Sequence, residues 1–323
     1  MMKLLNFIRI FAAMNKITEC YNKLKISHLN SKESSAVLQI VVSCFIISII
    51  VAMVRHLSKD FHIFFIVMMR NFFGLIFLIP QLIKCYRHIF KTKQMHLHIF
   101  RGANGTFSMF FWFCAISTIP LSEAVSLSFL TPIVTTIASM YILKEKISKK
   151  IILSCFISFI GVLIILRPGF NDFNRGYFFS FCSVILWSTS NLIVKTMTKT
   201  DSAQTIVVNT TFFMFLFSLP FALPYLEVVN FKEFCQFLIL GVISNISYRL
   251  ITDAFTKSDL SVLQPFDFSR LIFTSIIAYI FFDEKIDIWV FLGSIVILFG
   301  LVMILKKPKK KLQKELAQNP LEL

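Results

Sequence analysis

Asp267 and Arg270 lie three residues apart in an apolar stretch, so a helix there presents both on one face. Thr274 continues that face one turn on. Pro265, just before it, interrupts the backbone ladder and frees polar groups that are tolerated inside a membrane only where they line a cavity. Two chemistries fit. An internal Asp267–Arg270 ion pair neutralises both charges. Alternatively the two groups divide a zwitterion between them, Arg270 holding a carboxylate with paired donors and Asp267 holding an ammonium or sulfonium. Arg70 sits in the middle of VMMRNFFG, where a charge costs several kcal/mol unless it faces water or a partner. It reads as an anion-binding or gating group, or as the static partner of Asp253 or Asp267.

Trp112, Trp187 and Tyr248 stand near polar residues in apolar stretches. Such faces hold organic cations and stack on planar bases, or simply pack. Ser188, Ser190 and Asn191 surround Trp187, which makes Trp187 and Asn191 candidate cavity lining. Arg249 and Asp253, four apart, form a gating pair or snorkel to the interface. Glu123 follows Ser122 and reads as part of a capped helix start, with coupling to a proton or cation as the alternative. Glu145 and Glu284 stand beside lysines and read as turn residues.

These groups need a scaffold, and the chain supplies one repeatedly. From Ala36 to Leu305 a long apolar stretch recurs about every twenty residues, approximately at 36–54, 61–83, 101–118, 122–143, 150–166, 176–194, 204–225, 234–252, 260–282 and 287–305. A helix needs about 20 residues to cross a hydrocarbon core of about 30 Å. The expected class is therefore an all-α integral membrane protein of about ten transmembrane helices. The chain is 56% hydrophobic and 15% charged, against about 25% charged in soluble domains, and leaves no room for a separate catalytic domain. The seven cysteines are scattered and form no Cys-x-x-Cys pair, so neither a disulfide framework nor a metal site is indicated. No cofactor is implied: no Gly is followed by Lys, so a Walker loop is absent. The six histidines sit near span ends or loops, which argues against a membrane-embedded lipid-modifying enzyme.

The net charge of +16 points to membrane topology rather than to nucleic acid. With both termini cytoplasmic, Arg55, Lys59, Arg167, Arg175, Lys232 and Lys285 fall outside, Arg70, Arg249 and Arg270 fall in spans, and the remaining 24 of the 33 basic residues fall inside. That bias orients a multi-pass protein of the cell inner membrane. Residues 1–35 read as a basic cytoplasmic segment lying on the lipid surface, and 306–323 as a basic cytoplasmic tail. The expected partners are the lipid bilayer, a small-molecule substrate and, as a candidate, a second copy of the chain.

The sequence also repeats itself. A shift of 139 positions lays Gly102 on Gly241, MYILKEKI (140–147) on YIFFDEKI (279–286), and Gly161 on Gly300, without gaps. Residues 36–167 and 175–305 then form two units of five spans. An odd number inserts the second unit upside down relative to the first, an arrangement of secondary transporters with a site near the midplane. Small residues at Ala124, Ser128, Pro132 and Thr136 suggest a close seam against the opposing unit.

The run from Arg101 to Ile147 resembles the third and fourth spans of EamA-type carriers of the drug/metabolite transporter superfamily. SDLSVLQPFDFSRLIFTSIIAYIFFDEKI (258–286), with Pro265, Asp267, Arg270 and Glu284, resembles their ninth. Arg70 sits where such carriers often place an arginine, and Trp187 and Lys195 fit the two ends of the sixth span. The first span lacks the Trp-small-polar cluster of the sixth. Within the superfamily the chain looks most like the S-adenosylmethionine uptake carriers of intracellular bacteria. The resemblance implies a non-enzymatic secondary transporter of a small polar metabolite, by exchange or ion-coupled uptake. S-adenosylmethionine is the candidate cargo, with an amino acid or a nucleotide sugar as the alternative.

Overall fold

The computed structural model describes residues 31–89, 92, 94–119, 124, 127–145, 147–166, 175–282 and 288–305. Among these, all regular structure is helical. The long helices are α1 (Ser31–Leu57), α2 (Ile63–Ile89), α3 (Met95–Thr118), α4 (Leu130–Ile142), α5 (Lys149–Leu166), α6 (Arg175–Met197), α7 (Ala203–Ala222), α8 (Phe231–Lys257), α9 (Ser269–Phe282) and α10 (Ile288–Leu305). Among the described residues, five segments are long and apolar enough to cross a membrane: Lys32–Leu57, Ile63–Gln81, Arg175–Met197, Ala203–Tyr225 and Phe231–Lys257.

Local sequence sets several of the boundaries. Ser202 caps α7 by accepting the Thr205 backbone N–H. Asn230 and Glu233 form a reciprocal capping box at the start of α8, with bonds of 3.0 and 2.8 Å. The ninth span is broken at the expected place: a single turn, Leu260–Leu263, gives way at Pro265 to a 3-10 stretch, Gln264–Phe268, and only then does α9 begin. Two expected boundaries differ. The third span starts six residues earlier than the apolar pattern indicates, because His96, His98 and Arg101 are carried inside α3. Arg101, counted above with a cytoplasmic loop, is thereby a buried helix residue, only 4% exposed. Of the expected span 122–143, the structure describes a continuous helix only over Leu130–Ile142.

The packing is exchanged onto itself by the 139-residue shift. α1 packs on α8 and α6 on α3; α2 packs on α8 and α7 on α3; α1 meets α9 and α6 meets α4. The pairs α2–α7 and α5–α10 are their own images. The glycines identified by the repeat sit in matching close approaches. A Cβ on Gly161 would meet Gly293 O and Ile297 Cγ1, both at 2.8 Å, and a Cβ on Gly300 would meet the shifted positions, Ser158 Oγ at 2.6 Å and Ser154 O at 3.1 Å. These contacts make α5 and α10 antiparallel. Two helices that are images of one another and antiparallel are related by an axis perpendicular to them, so the two units are inverted. Gly102 against Phe213 and Gly241 against Gly74 form a second matched pair. Phe129 and Phe268, also 139 apart, stack with ring centroids 5.5 Å apart and planes at 15°, which places them beside the pseudo-two-fold axis. The segment around α4 meets α6, with Ser180 Oγ donating to Ala124 O and Ser188 Oγ to Thr131 O, both at 3.4 Å.

Candidate functional site

One end of the bundle, where α1 begins, is tied by polar contacts between helix ends. Glu145, after α4, accepts the backbone N–H groups of Leu260 and Ser261 at 3.0 Å each. Lys195, at the end of α6, donates to the carbonyls of Phe255 (2.8 Å) and Ser258 (2.6 Å). His98 of α3 contacts Asp201 at 2.8 Å, and Thr92 donates to the same carboxylate oxygen at 2.7 Å. Lys257 reaches Gln39 of α1 at 3.0 Å.

A cavity runs from the middle of the bundle toward the opposite end, where α1 and α3 finish at Leu57 and Thr118. Its wall along α3 extends from Arg101 to Ile116, fifteen residues or about 22 Å at the helical rise. The empty volume, open mouth included, is about 1470 Å³; small-molecule sites usually enclose about 300–1,000 Å³. α1 contributes an aliphatic wall of Ile47, Ile50, Val51 and Val54, where α6 contributes Ser183 and Trp187.

The cavity gathers Arg70, Trp112, Trp187, Tyr248, Arg270 and Thr274 of the residues singled out in the sequence. Arg270 lies with its guanidinium 5.3 Å from the Phe129 ring centre and is paired to Asp267 (Nη2–Oδ2 3.3 Å). Asp267 is not part of the cavity wall; its Oδ1 instead accepts from Cys44 Sγ at 3.6 Å. The Asp267–Arg270 contact thus has the form of the internal ion pair. Thr274 lies one turn on, donating to Ser48 Oγ at 3.0 Å and lining the cavity. Asn191 is partly buried outside the lining, Arg249 is exposed, and Asp253 is partly buried, away from the cavity. Glu123 and Glu284 lie outside the described residues.

The sequence reasoning missed three contributors: Arg101, Asn71 and Asn245. Arg101 lines the cavity from α3, its guanidinium 5.4 Å from the Tyr248 ring centre. A Cβ at Gly105 would collide with Arg101 Nη1, so the glycine makes room for that side chain along its own helix. Arg70 Nη2 donates to Asn71 Oδ1 at 3.0 Å, and Asn245 Oδ1 accepts from Thr211 at 2.8 Å. The signal for Arg101 was its spacing, four before Gly105 and eleven before Trp112 on one helix. The local density of basic residues masked it.

The lining comes in pairs related by the repeat: Met109 and Tyr248, Trp112 and Ile251, Gly105 and Ser244, Asn71 and Thr210, Thr131 and Arg270. Positions are duplicated while side chains are not. A symmetric scaffold therefore encloses an asymmetric set of polar groups.

Residues 34–167 and 174–306 each match the EamA-like transporter family. The chain belongs to that family. It is 26% identical to an S-adenosylmethionine uptake transporter of Rickettsia bellii over 264 residues, covering 82% of this chain and 91% of the relative. A protein of the same description from Rickettsia prowazekii is 25% identical, covering 80% and 88%. A riboflavin transporter of Vibrio cholerae is 27% identical, covering 71% and 78%. A solved crystal structure of 15% sequence identity superposes with a TM-score of 0.72 over 84% of this chain and 98% of that one, a likeness of fold. These EamA relatives are described as transporters, and the apolar helices of this chain place it in a membrane.

Proposed function

We propose that the chain is a secondary transporter that carries S-adenosylmethionine across the cell inner membrane by alternating access. The observation that carries this reading is the central cavity, which gathers aromatic faces (Trp112, Trp187, Tyr248) and arginine side chains between two inverted units, with Asp267 behind its wall, paired to Arg270. The aromatic faces suit a planar base, and Asp267, released from Arg270, suits an ammonium or sulfonium. The Rickettsia relatives support the cargo. The excess of Lys and Arg puts both termini, and hence the tied end of the bundle, in the cytoplasm. The structure then corresponds to an outward-facing state, with the cytoplasmic end latched and the cavity reaching toward the outer side. The return step exchanges the roles of the two units, which share one set of contacts and differ little in energy.

The riboflavin transporters among the relatives favour a second reading, a flat heteroaromatic cargo stacked on the same rings. Uptake of labelled S-adenosylmethionine into cells expressing the chain separates the two, with riboflavin, amino acids and nucleotide sugars as competitors. Saturable uptake blocked by unlabelled S-adenosylmethionine alone supports the proposal. Blockage by riboflavin at lower concentration supports the alternative. Arg270→Ala abolishes uptake at an unchanged membrane level; full activity in that variant removes Arg270 from the site.

A further inference from the structure

Among the described residues, Arg70 and Arg101 have no countercharge. Both line the cavity. Arg101 Nε and Nη1 and Arg70 Nε are buried with no hydrogen-bond partner. Among the described residues neither guanidinium meets a carboxylate: the acidic group beside the cavity, Asp267, is taken by Arg270. An unpaired charge in a low-dielectric interior is costly, and here two of the same sign line one cavity. The surroundings add neutral groups, with Asn71 and Tyr248 against the two guanidiniums. Gly105 leaves the space that Arg101 Nη1 occupies. Among the described residues these two arginines form no fixed ion pair. Their arrangement suits a partner that comes and goes.

We propose that Arg70 and Arg101 form an oxyanion subsite, separate from the Asp267–Arg270 pair, to which the transported molecule presents a carboxylate or phosphate. The proposal rests on the transporter reading of the same cavity and deepens it. It moves the anionic group of the cargo from Arg270, which is already neutralised, to the α2–α3 wall. Guanidinium groups match such oxyanions with parallel donors, and the neutral carboxamides and hydroxyls around them leave the two positive charges for the cargo alone. A cargo without an oxyanion leaves both charges unanswered and binds weakly.

The test uses the purified full chain in nanodiscs and two ligand pairs that differ in the oxyanion alone: S-adenosylmethionine against its decarboxylated analogue, and riboflavin 5′-phosphate against riboflavin. Wild-type protein is expected to bind the oxyanion member at least ten-fold more tightly in one pair or both. Arg70→Gln and Arg101→Gln are each expected to erase that preference, and Arg101→Lys to keep part of it. The wild-type comparison stands even if a variant fails to fold. Equal binding within both pairs overturns the subsite, as does a preference retained in both glutamine variants, or failure of all four ligands and inorganic phosphate to bind. Phosphatidylcholine and phosphatidylglycerol nanodiscs separate cargo from lipid: occupancy by the anionic lipid alone overturns the cargo assignment. If only the riboflavin phosphate shows arginine-dependent binding, the subsite stands and the S-adenosylmethionine reading falls. If S-adenosylmethionine is taken up with no dependence on Arg70 or Arg101, the reverse holds.

Discussion

The Glu145 carboxylate accepts the Ser261 backbone N–H at 3.0 Å, and that of Leu260 at the same distance, across the junction between the two halves of the chain. It caps the turn that opens the broken ninth span from 115 residues away. A carboxylate at a helix start satisfies orphan donors and complements their partial positive charge. The backbone aims it there: Lys144 adopts a left-handed conformation (φ 55°), and the Glu145 N–H returns to Ser139 O at 3.3 Å, closing the end of α4. The residue read from sequence as a turn is a bond between the two units.

Lys195 is the second tie of that end. Its ammonium serves two carbonyls, at 2.8 and 2.6 Å, with Asp259 at 3.9 Å. Lys195→Met removes the donors and leaves the α8 carbonyls without them. Hydrogen bonds to charged groups are worth about 1.5–3 kcal/mol. Thermal unfolding in detergent, compared with Lys199→Met on the exposed turn that follows, is expected to show a lower midpoint for Lys195→Met alone.

Gly161 and Gly300 form a matched pair for a packing test. Gly161→Ala brings a methyl to 2.8 Å of a backbone carbonyl, which cannot swing aside, whereas Gly300→Ala meets the Ser158 hydroxyl first. Overpacking costs about 1–3 kcal/mol. Both variants are expected to unfold earlier than wild type, Gly161→Ala the more so. A Gly300→Ala Ser158→Ala double variant recovers part of the loss.

Asn104 joins the third and sixth helices, donating to Leu186 O and Ser190 Oγ, each at 2.7 Å. This polar side chain in an apolar span makes a buried interhelical bond. Such bonds average about 0.6 kcal/mol in a membrane protein and reach about 1.7. A double-mutant cycle with Asn104→Ala and Ser190→Ala is expected to give a coupling in that range; zero coupling contradicts the bond.

The architecture was legible because it rests on length, apolarity and a 139-residue shift, all properties of the chain itself. The matched glycines were readable for the same reason, since a close approach admits few other residues. Arg270, Trp187 and Trp112 were found as polar or aromatic groups in apolar spans. Arg101 was not, because the basic run from Lys84 onward made it look like the last charge of a loop, while the helix had already begun at Met95. Glu145 resisted reading for a different reason: its partners are backbone N–H groups, and a sequence carries no mark of which turn a distant carboxylate caps. Whether Asp267 and Arg270 pair with each other depended on side-chain directions that spacing alone leaves open.

Transport by this fold requires the two inverted units, latched together at one end, to part there. That parting is tested most directly by the distance between spin labels at Lys149 and Thr256, exposed residues at that end, in protein lacking its native cysteines. Glu145→Gln weakens charge-assisted bonds worth about 1.5–3 kcal/mol each, enough to move a two-state equilibrium by ten-fold or more. One short distance is expected in the unsubstituted latch, and a second, longer population in Glu145→Gln. An identical single distance in both contradicts the latch.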